Sequence, residues 1–440
     1  MPKLMRHPEL TFAPEAAATA VRMRLLRRHL AHAGTSPFYR ELFAREGFGP
    51  RKVRTLADLA RLPFTTKRDL EERGPDFLAA PAGEVVDVCE SSGTTGLPVT
   101  LLQTRADLER LAYNEESCFR AAGIVPGERV LIAAALDRCF MAGLAYFLGL
   151  TRLGATAIRG GSGSVAFLAE LVLRHRPSAL VGVPTLLAAV AEALAARGVQ
   201  PTAAGVQRIV CIGEPVRRDD LSLSPLGERL AALWGARVLG TYASTEMATS
   251  FADCTFGKGG HLLPDLMVVE IVDDQGRPLP PGEPGEVVAT PLQVSGMPLV
   301  RFRTGDIATL HPAPCPCGRT SPRLGPVIGR KSQMLKIKGT TVYPPAIFAA
   351  VQEIPGVQGY FAEVRDTFEL SDRVTVTVGA AGAAGAALTP EAVADRIAVR
   401  TRVKPEVVIV TPEEIAARTI CADKRKPIIF FDLREKRHVH

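Results

Sequence analysis

Between positions 17 and 48 apolar residues recur every three or four places, which predicts helices with a break at "GTSPFY". From 129 onward the pattern changes. Short apolar runs ("RVLIAAAL", "GATAIR", "ALVGVP", "RIVCIG" and "ARVLGTYA") alternate with helix-length segments. That alternation predicts a parallel sheet covered by helices. Between 266 and 310 the runs "LMVVEIVDD", "GEVVATPL" and "LVRFRTGDIATL" crowd around the turn-rich "QGRPLPPGEPGE". A β-rich subdomain over about 255–328 is expected there. Beyond 330 come a helix ("PPAIFAAVQEI"), strands ("GYFAEVRD", "RVTVTVG"), a helix ("PEAVADRIAVRTR") and a strand ("EVVIVT"). The expected class is therefore α/β. A large N-terminal domain, 1–330, has parallel or mixed sheets covered by helices, and a small α+β domain, 331–440, follows a hinge at 330–332. No internal repeat is visible.

Composition narrows the function. The 440 residues are 47% apolar and 6% aromatic, ample for a sizeable core. Net charge is +7, but no nucleic-acid motif or aromatic interleaving accompanies the arginines. A polyanionic small ligand suits that surplus, so no nucleic-acid partner is expected. The longest apolar stretch, "FMAGLAYFLGL", is about half a membrane span, and "MPKLMRHPEL" carries no signal region, so no membrane partner is expected. Eight cysteines form no disulfide framework, which predicts a reducing cytoplasm. Only "GAAGAAGAAL" at 379–388 is of low complexity.

Four short segments carry the candidate chemistry. "SSGTTG", Ser91, Ser92, Gly93, Thr94, Thr95 and Gly96, offers backbone N–H groups and small hydroxyls to a phosphate. It is not a Walker loop, because Gly96 is followed by Leu97 and Pro98. "GTYASTEM" ends a predicted strand, where α/β proteins bind ligands, and brings Glu246, which a helix cap explains as well. "RFRTGD" is read as a strand ending at Gly305 and Asp306, either a turn aspartate or a ribose-binding carboxylate. "GRKSQMLKIKG" is a basic run at the proposed hinge, or an ordinary charged linker.

In this order and spacing the four segments resemble the adenylate-forming acyl ligases, most closely the phenylacetate–coenzyme A ligase branch. "PFTTKRDL" at 63–70 and "CPCGRTSPR" at 315–323 are similar to features of that branch, and the resemblance runs from about 20 to about 430. It implies that Ser91–Gly96 embrace the β- and γ-phosphates of ATP. Relatives often carry a lysine at 97 or 99, where this chain has Leu97 and Val99. Lys67 is the substitute cation the branch suggests, unless it merely starts a helix. Glu246 would hold Mg²⁺, with Thr95 or Thr245 nearby. Gly213, Glu214, Pro215 and Tyr242, with Ala243 and Ser244, would flank the adenine, and Asp306 and Arg330 would bind the ribose.

The resemblance also implies a mobile C-terminal domain that brings a catalytic lysine to the carboxylate. Lys424 in "ICADKRKP" fits that role, with Lys426 as the alternative. Ser332 stands where relatives have Asp, and Lys336, Lys338 and Gly339 would line the approach of coenzyme A. By family position the acid would lie near Phe140, Met141, Ala142, Gly143 and Gly161, where a flat aryl or arylacetic acid fits. A buried core helix explains the same apolar run.

Cys254, His261, Cys315 and Cys317 form C-x₆-H followed by C-x-C around the β-rich stretch. Three thiolates and an imidazole suit a closed tetrahedral Zn²⁺ site, and some members of the branch have a similar set. Cys89, Cys118, Cys139 and Cys211 lack that spacing and are expected to be buried apolar residues.

The expected activity is ATP-dependent carboxylate–CoA ligation through an acyl-adenylate. Three rivals remain: an adenylating enzyme that passes its acyl group to an amine or carrier protein, a non-catalytic nucleotide- or acyl-adenylate-binding homologue, and a basic nucleic-acid-binding scaffold that rests on net charge alone. A homodimer is left open.

Overall fold

A computed structural model of the chain describes residues 4–91, 98–337, 340–366, 372–420 and 427–434. It separates into two compact units, Met1–Thr304 with Ala308–Pro326, and Gly305–Ile307 with Val327–His440.

The first unit begins with α1 (Glu15–Ala33), α2 (Pro37–Arg45) and α3 (Lys67–Arg73). The break between α1 and α2 has a local cause. Ser36 caps α2 by accepting from the Tyr39 amide, and Pro37 occupies its first turn. Leu25, Leu26 and Leu30 of α1 then bury against Phe38, Tyr39, Phe43 and Phe77. The hairpin β1 (Val85–Glu90) and β2 (Thr100–Thr104) follows, then α4 (Arg105–Ala121).

The next elements alternate as β3 (Arg129–Ala133), α5 (Met141–Leu153), β4 (Thr156–Arg159), α6 (Val165–His175), β5 (Ala179–Gly182), α7 (Pro184–Ala196), β6 (Arg208–Cys211), α8 (Pro225–Trp234) and β7 (Arg237–Ser244). With antiparallel β8 (Thr249–Ala252) they form a sheet in the order β4-β3-β5-β6-β7-β8, parallel from β4 to β7. Strand period two sorts the side chains between the faces. Leu131, Leu180, Ile209 and Val238 face α6, α7 and α8, where Trp234 is buried. Val130, Val181, Val210 and Leu239 face Tyr146 and Leu150 of α5 and Phe119 of α4. Each such large apolar side chain contributes about 1.5–3 kcal/mol by leaving water. Burial on both faces is what the apolar runs predicted.

Strand order reverses around β3, since β4 lies on one side and β5 on the other. Loops leaving β3 and β5 therefore diverge and open a crevice at the carboxyl edge. The β-rich part contains β9 (Gly260–His261), β10 (Met267–Val272), β11 (Pro284–Pro291), β12 (Phe302–His311) and β13 (Arg323–Leu324), in the order β10-β11-β12-β13-β9.

In the second unit, β14 (Gly329–Arg330) pairs with Asp306 and Ile307. A hairpin, β15 (Leu335–Ile337) and β16 (Thr340–Val342), precedes α9 (Pro344–Gln352), β17 (Val357–Asp366), β18 (Asp372–Ala380), α10 (Gly382–Ala386), α11 (Pro390–Thr401), β19 (Glu406–Val410), α12 (Pro412–Thr419) and β20 (Phe430–Asp432). Its sheet runs β19-β18-β17-β20 over a core of Ile347, Val351, Val376 and Ile397. The "GRKSQMLKIKG" run is thus partly strand rather than irregular linker. Among the described residues no helix is long and apolar enough to cross a membrane.

One strand boundary differs from expectation. β12 does not end at Gly305 and Asp306 but runs on to His311. Gly305 takes a left-handed φ of +73°, which bends the strand, and Asp306 then re-enters the ladder opposite Arg330. Burial of Ile307 and Ala308 carries the strand further.

Candidate active site

Parallel strands place every loop that follows them at one edge of the sheet. After β3, Phe140 precedes α5, and Met141 is buried. Gly143 lies so close to the loop that a Cβ there would come 2.1 Å from the Ala135 carbonyl oxygen. Only glycine lets α5 start at this position. Ala142 follows Met141 in the same turn, and after β4 the Gly161 amide donates to the Ile132 carbonyl at 3.2 Å. Behind β6 come Gly213, Glu214 and Pro215. The Glu214 carboxylate accepts from the Thr185 amide (3.2 Å) and hydroxyl (3.0 Å), which ties this loop to the N-terminus of α7.

At the end of β7, Tyr242 stacks on Phe251 with centroids 6.0 Å apart and planes 14° from parallel. Ala243 and Ser244 close the strand, and Thr245 and Glu246 enter a turn. Two bonds shape that turn: the Met247 amide donates to Ser244 Oγ (3.2 Å), and the Ala248 amide to the Thr245 carbonyl (3.1 Å). Glu246 is half-buried within it. The fold therefore brings Phe140, Met141, Ala142, Gly143, Gly161, Gly213–Pro215 and Tyr242–Glu246 to one edge.

Two further segments flank this unit's site residues. Ser91 closes the base of the "SSGTTG" loop, where its amide donates to the Val99 carbonyl (2.9 Å) and its hydroxyl accepts from the Val99 amide (3.0 Å). Ser92, Gly93, Thr94, Thr95 and Gly96 lie outside the described residues. "PFTTK" is a strap pinned to the start of β12. Thr65 exchanges backbone bonds with Arg301 (3.1 Å) and Arg303 (2.8 Å), and its hydroxyl donates to the Val300 carbonyl (2.8 Å). The Arg301 and Arg303 guanidiniums lie over the Phe64 ring at 4.2 and 4.8 Å. Lys67 then opens α3, half-buried and against the helix dipole, so helix stability does not explain a cation there.

In the second unit Asp306 and Arg330 face each other across two strands, with Oδ1 3.3 Å from Nε. Lys336 is exposed, whereas Lys338, Gly339, Lys424 and Lys426 lie outside the described residues. Arg434 clamps the segment around Ser332. It donates to the carbonyls of Ser332 (3.4 Å) and Met334 (3.0 Å) and pairs with Asp372 (3.2 Å) and Asp432 (2.6 Å).

The four residues with metal-site spacing converge. The ligand atoms of Cys254, His261, Cys315 and Cys317 all lie within 4.8 Å of one another. Cys254 Sγ is 3.6 Å from Cys315 Sγ, and Cys317 Sγ is 3.5 Å from His261 Nε2. Burial, with Arg319 and Arg323 nearby, lowers the His261 pKa to about 3 and keeps the imidazole neutral. Burial pushes the Cys254 thiol up to about 12, a penalty that a cation offsets. At Cys317 burial also opposes the thiolate, but hydrogen bonds from Arg319 and the neighbouring sulfurs outweigh it and lower the pKa. This donor set fits a soft tetrahedral cation. The same loop holds the N-terminal arm: the Thr320 amide donates to the Thr11 carbonyl (2.8 Å), its hydroxyl to the Ala13 carbonyl (2.6 Å), and Arg319 covers the Phe12 ring at 4.8 Å. Of the other cysteines, Cys89, Cys118 and Cys211 are buried as expected. Cys139 is exposed, because it sits in a turn at φ +53° between β3 and α5.

The AMP-binding enzyme family model matches residues 48–296. A phenylacetate-coenzyme A ligase of Thermus thermophilus is 34% identical over 365 residues, covering 81% of this chain and 80% of the relative. The chain belongs to the AMP-binding enzyme family. Within it the chain resembles the phenylacetate–coenzyme A ligase-like branch: a phenylacetate-coenzyme A ligase of Escherichia coli is also 31% identical over 333 residues, 74% of each chain. Among solved structures, a 2-hydroxyisobutyryl-CoA ligase in a postadenylation state superposes with a TM-score of 0.85 at 25% identity, covering 97% of this chain and 91% of that one.

This member of the AMP-binding family has a polar helix face that sequence reasoning passed over. On α4, Arg110, Asn114, Glu115 and Cys118 are buried and bond to residues 248–250. The signal was present in "RLAYNEESC": Arg110, Asn114 and Cys118 recur every four residues. Burial raises the Glu115 pKa to about 7, against a hydrogen bond from Ser250 that lowers it.

Proposed function

We propose that the protein is an ATP-dependent carboxylate–CoA ligase, an AMP-forming acid–thiol ligase that acts on an aryl or arylacetic acid. One observation carries the reading. In a chain of this family, the Tyr242–Glu246 turn, the Gly213–Pro215 loop and the Phe140–Gly143 helix start converge on one sheet edge.

The substrate carboxylate attacks the α-phosphorus of ATP, the bond to pyrophosphate breaks, and an acyl-adenylate forms. The thiol of coenzyme A then adds to the acyl carbon, and the bond to AMP breaks. Ser91–Gly96 hold the β- and γ-phosphates through amides and hydroxyls, and Lys67 supplies the cation that positions 97 and 99 lack. Tyr242, Gly213, Glu214 and Pro215 flank the adenine; Asp306 and Arg330 bind the ribose. Glu246, an acidic oxygen donor beside the hydroxyls of Ser244 and Thr245, suits Mg²⁺, which offsets charge on the leaving pyrophosphate. Phe140 and Gly143 accept a flat ring.

Residues 331–440 act as a lid that turns about 330–332, bringing Lys424 (or Lys426) for the first half and Lys336, Lys338 and Gly339 for the second. Cys254, His261, Cys315 and Cys317 hold a structural Zn²⁺. The cysteine usage supports a cytoplasmic location.

The test is pyrophosphate release from Mg·ATP with a panel of aryl, arylacetic and short aliphatic acids, with and without coenzyme A. Sustained acid-dependent turnover only with coenzyme A is expected. Release that coenzyme A fails to accelerate indicates an amine or carrier acceptor. No release with any acid, despite ATP binding, overturns the enzyme reading.

A further inference from the structure

We propose that Arg110 is a positioning residue for Glu246, and through it for the divalent cation that accompanies ATP. This rests on the reading of Glu246 as the carboxylate for that cation.

The turn carrying Glu246 is fixed at its start by its own residues, Ser244 and Thr245, as described above. Its far side is fixed from α4. Ala248 stands in the left-handed region at φ +45°, a conformation that costs energy for any residue but glycine. In that conformation its carbonyl accepts from Arg110 Nη1. Arg110 Nη2 donates to Thr249 Oγ1 at 2.9 Å, and that hydroxyl donates on to the Met247 carbonyl at 3.0 Å. Both residues after Glu246 are therefore held by one guanidinium, one directly and one through a hydroxyl. A turn of α4 further on, Asn114 exchanges two bonds with the Ser250 backbone (2.8 and 3.1 Å), which sets the register of β8 against the same helix.

The same guanidinium reaches the carbonyls of Leu266 (2.7 Å) and Leu292 (2.6 Å). Arg110 is fully buried, and its hydrogen bonds go to carbonyl and hydroxyl oxygens, never to a carboxylate. The buried carboxylates of Asp107 and Asp265 act on this cation through space, with no direct bond to it, so it is an expensive way to join two carbonyls of the β-rich part, since an apolar side chain packs there at lower cost. It is an effective way to stop a loop whose backbone would otherwise relax. A lysine, with one compact charge in place of a planar fork, cannot satisfy the four oxygens together.

The experiment is equilibrium ATP binding by the full-length protein with and without Mg²⁺, for wild type, Arg110→Lys, Thr249→Val and Glu246→Gln. The ratio of the two dissociation constants reads the coupling between cation and nucleotide, and needs no turnover. Glu246→Gln is expected to collapse the ratio. Arg110→Lys should reduce it at least fivefold, and Thr249→Val about twofold, with ATP binding in the absence of Mg²⁺ changed by less than twofold. A folded Arg110→Lys with the wild-type ratio overturns the proposal and leaves Arg110 a purely structural group. Should that variant not fold, Thr249→Val decides: a wild-type ratio overturns the proposal. If Glu246→Gln itself keeps the wild-type ratio, the reading of Glu246 fails, which is a separate result.

Discussion

Arg110 and Arg301 are both buried to 2% exposure or less, yet they are neutralised in opposite ways. Arg301, itself left-handed at φ +49°, pairs with Glu270 through two bonds (3.0 and 3.1 Å), caps the Leu62 carbonyl and covers Phe64. Arg110 bonds only to uncharged dipoles, and the buried carboxylates of Asp107 and Asp265 act on it through space. The two cages fix different segments, the "PFTTK" strap in one case and the Glu246 turn in the other. What separates them is what remains after the arginine is removed. Loss of Arg301 breaks a direct ion pair and strands a carboxylate of 12% exposure, whereas loss of Arg110 strands carbonyls and a hydroxyl and breaks no direct ion pair.

The sharpest way to break the comparison is therefore Arg301→Met. It is expected to lower the unfolding free energy by about 3–5 kcal/mol, because a buried partner is left uncompensated. Denaturant titration measures the loss. The double variant with Glu270→Met should recover a large part of it; a double variant as unstable as the single one means the ion pair is not the cause.

Next in size is a pH effect on α4. Burial lifts the Glu115 pKa to about 7, so the folded chain keeps a proton that the unfolded chain has already released. Stability therefore falls as pH rises from about 4.5 to about 7, by about 3 kcal/mol, and the full penalty stands above that range. Glu115→Gln should flatten this dependence and be more stable than wild type at pH 8. Parallel slopes for the two proteins, in denaturant titrations at pH 5 and 8, contradict it.

Arg110→Met is expected to show the smallest effect, about 1–3 kcal/mol in the same titration, since lost hydrogen bonds are offset by relief of a buried charge. A loss as large as that of Arg301→Met would mean that a dipole cage and an ion pair are equivalent here.

These contrasts also mark where the sequence could be read. The parallel sheet was visible because β3, β5, β6 and β7 are apolar on both faces, a composition that few other elements need. The loop residues could be placed because topology puts whatever follows a parallel strand at one edge, and the cysteine spacing anticipated the convergence of Cys254, His261, Cys315 and Cys317. The end of β12 was misjudged because Gly305 and Asp306 are turn residues locally, while the ladder opposite Arg330 is a long-range fact. Cys139 was misjudged for the opposite reason: a residue type that is usually buried occupies a left-handed turn. Arg110 and Phe64 escaped attention because their partners lie 138 to 239 positions away in the chain. The four-residue recurrence of Arg110, Asn114 and Cys118 marks a polar helix face, but not the elements on which its partners lie.

The N-terminal arm shows what such distances mean in time. Beyond its bonds to Thr320, the arm is fastened where the Met5 amide donates to Gln293 and the His7 amide to Asp265, contacts spanning 288 and 258 positions. During synthesis residues 5–13 emerge long before any of these partners exist. On α1, His29 must likewise wait for Leu299, whose carbonyl it bonds, although Leu25, Leu26 and Leu30 meet Phe38, Tyr39, Phe43 and Phe77 much earlier. Contacts of such span close slowly and leave apolar surface exposed in the interval. A nascent chain halted before residue 260 therefore carries residues 5–13 with none of these partners yet made.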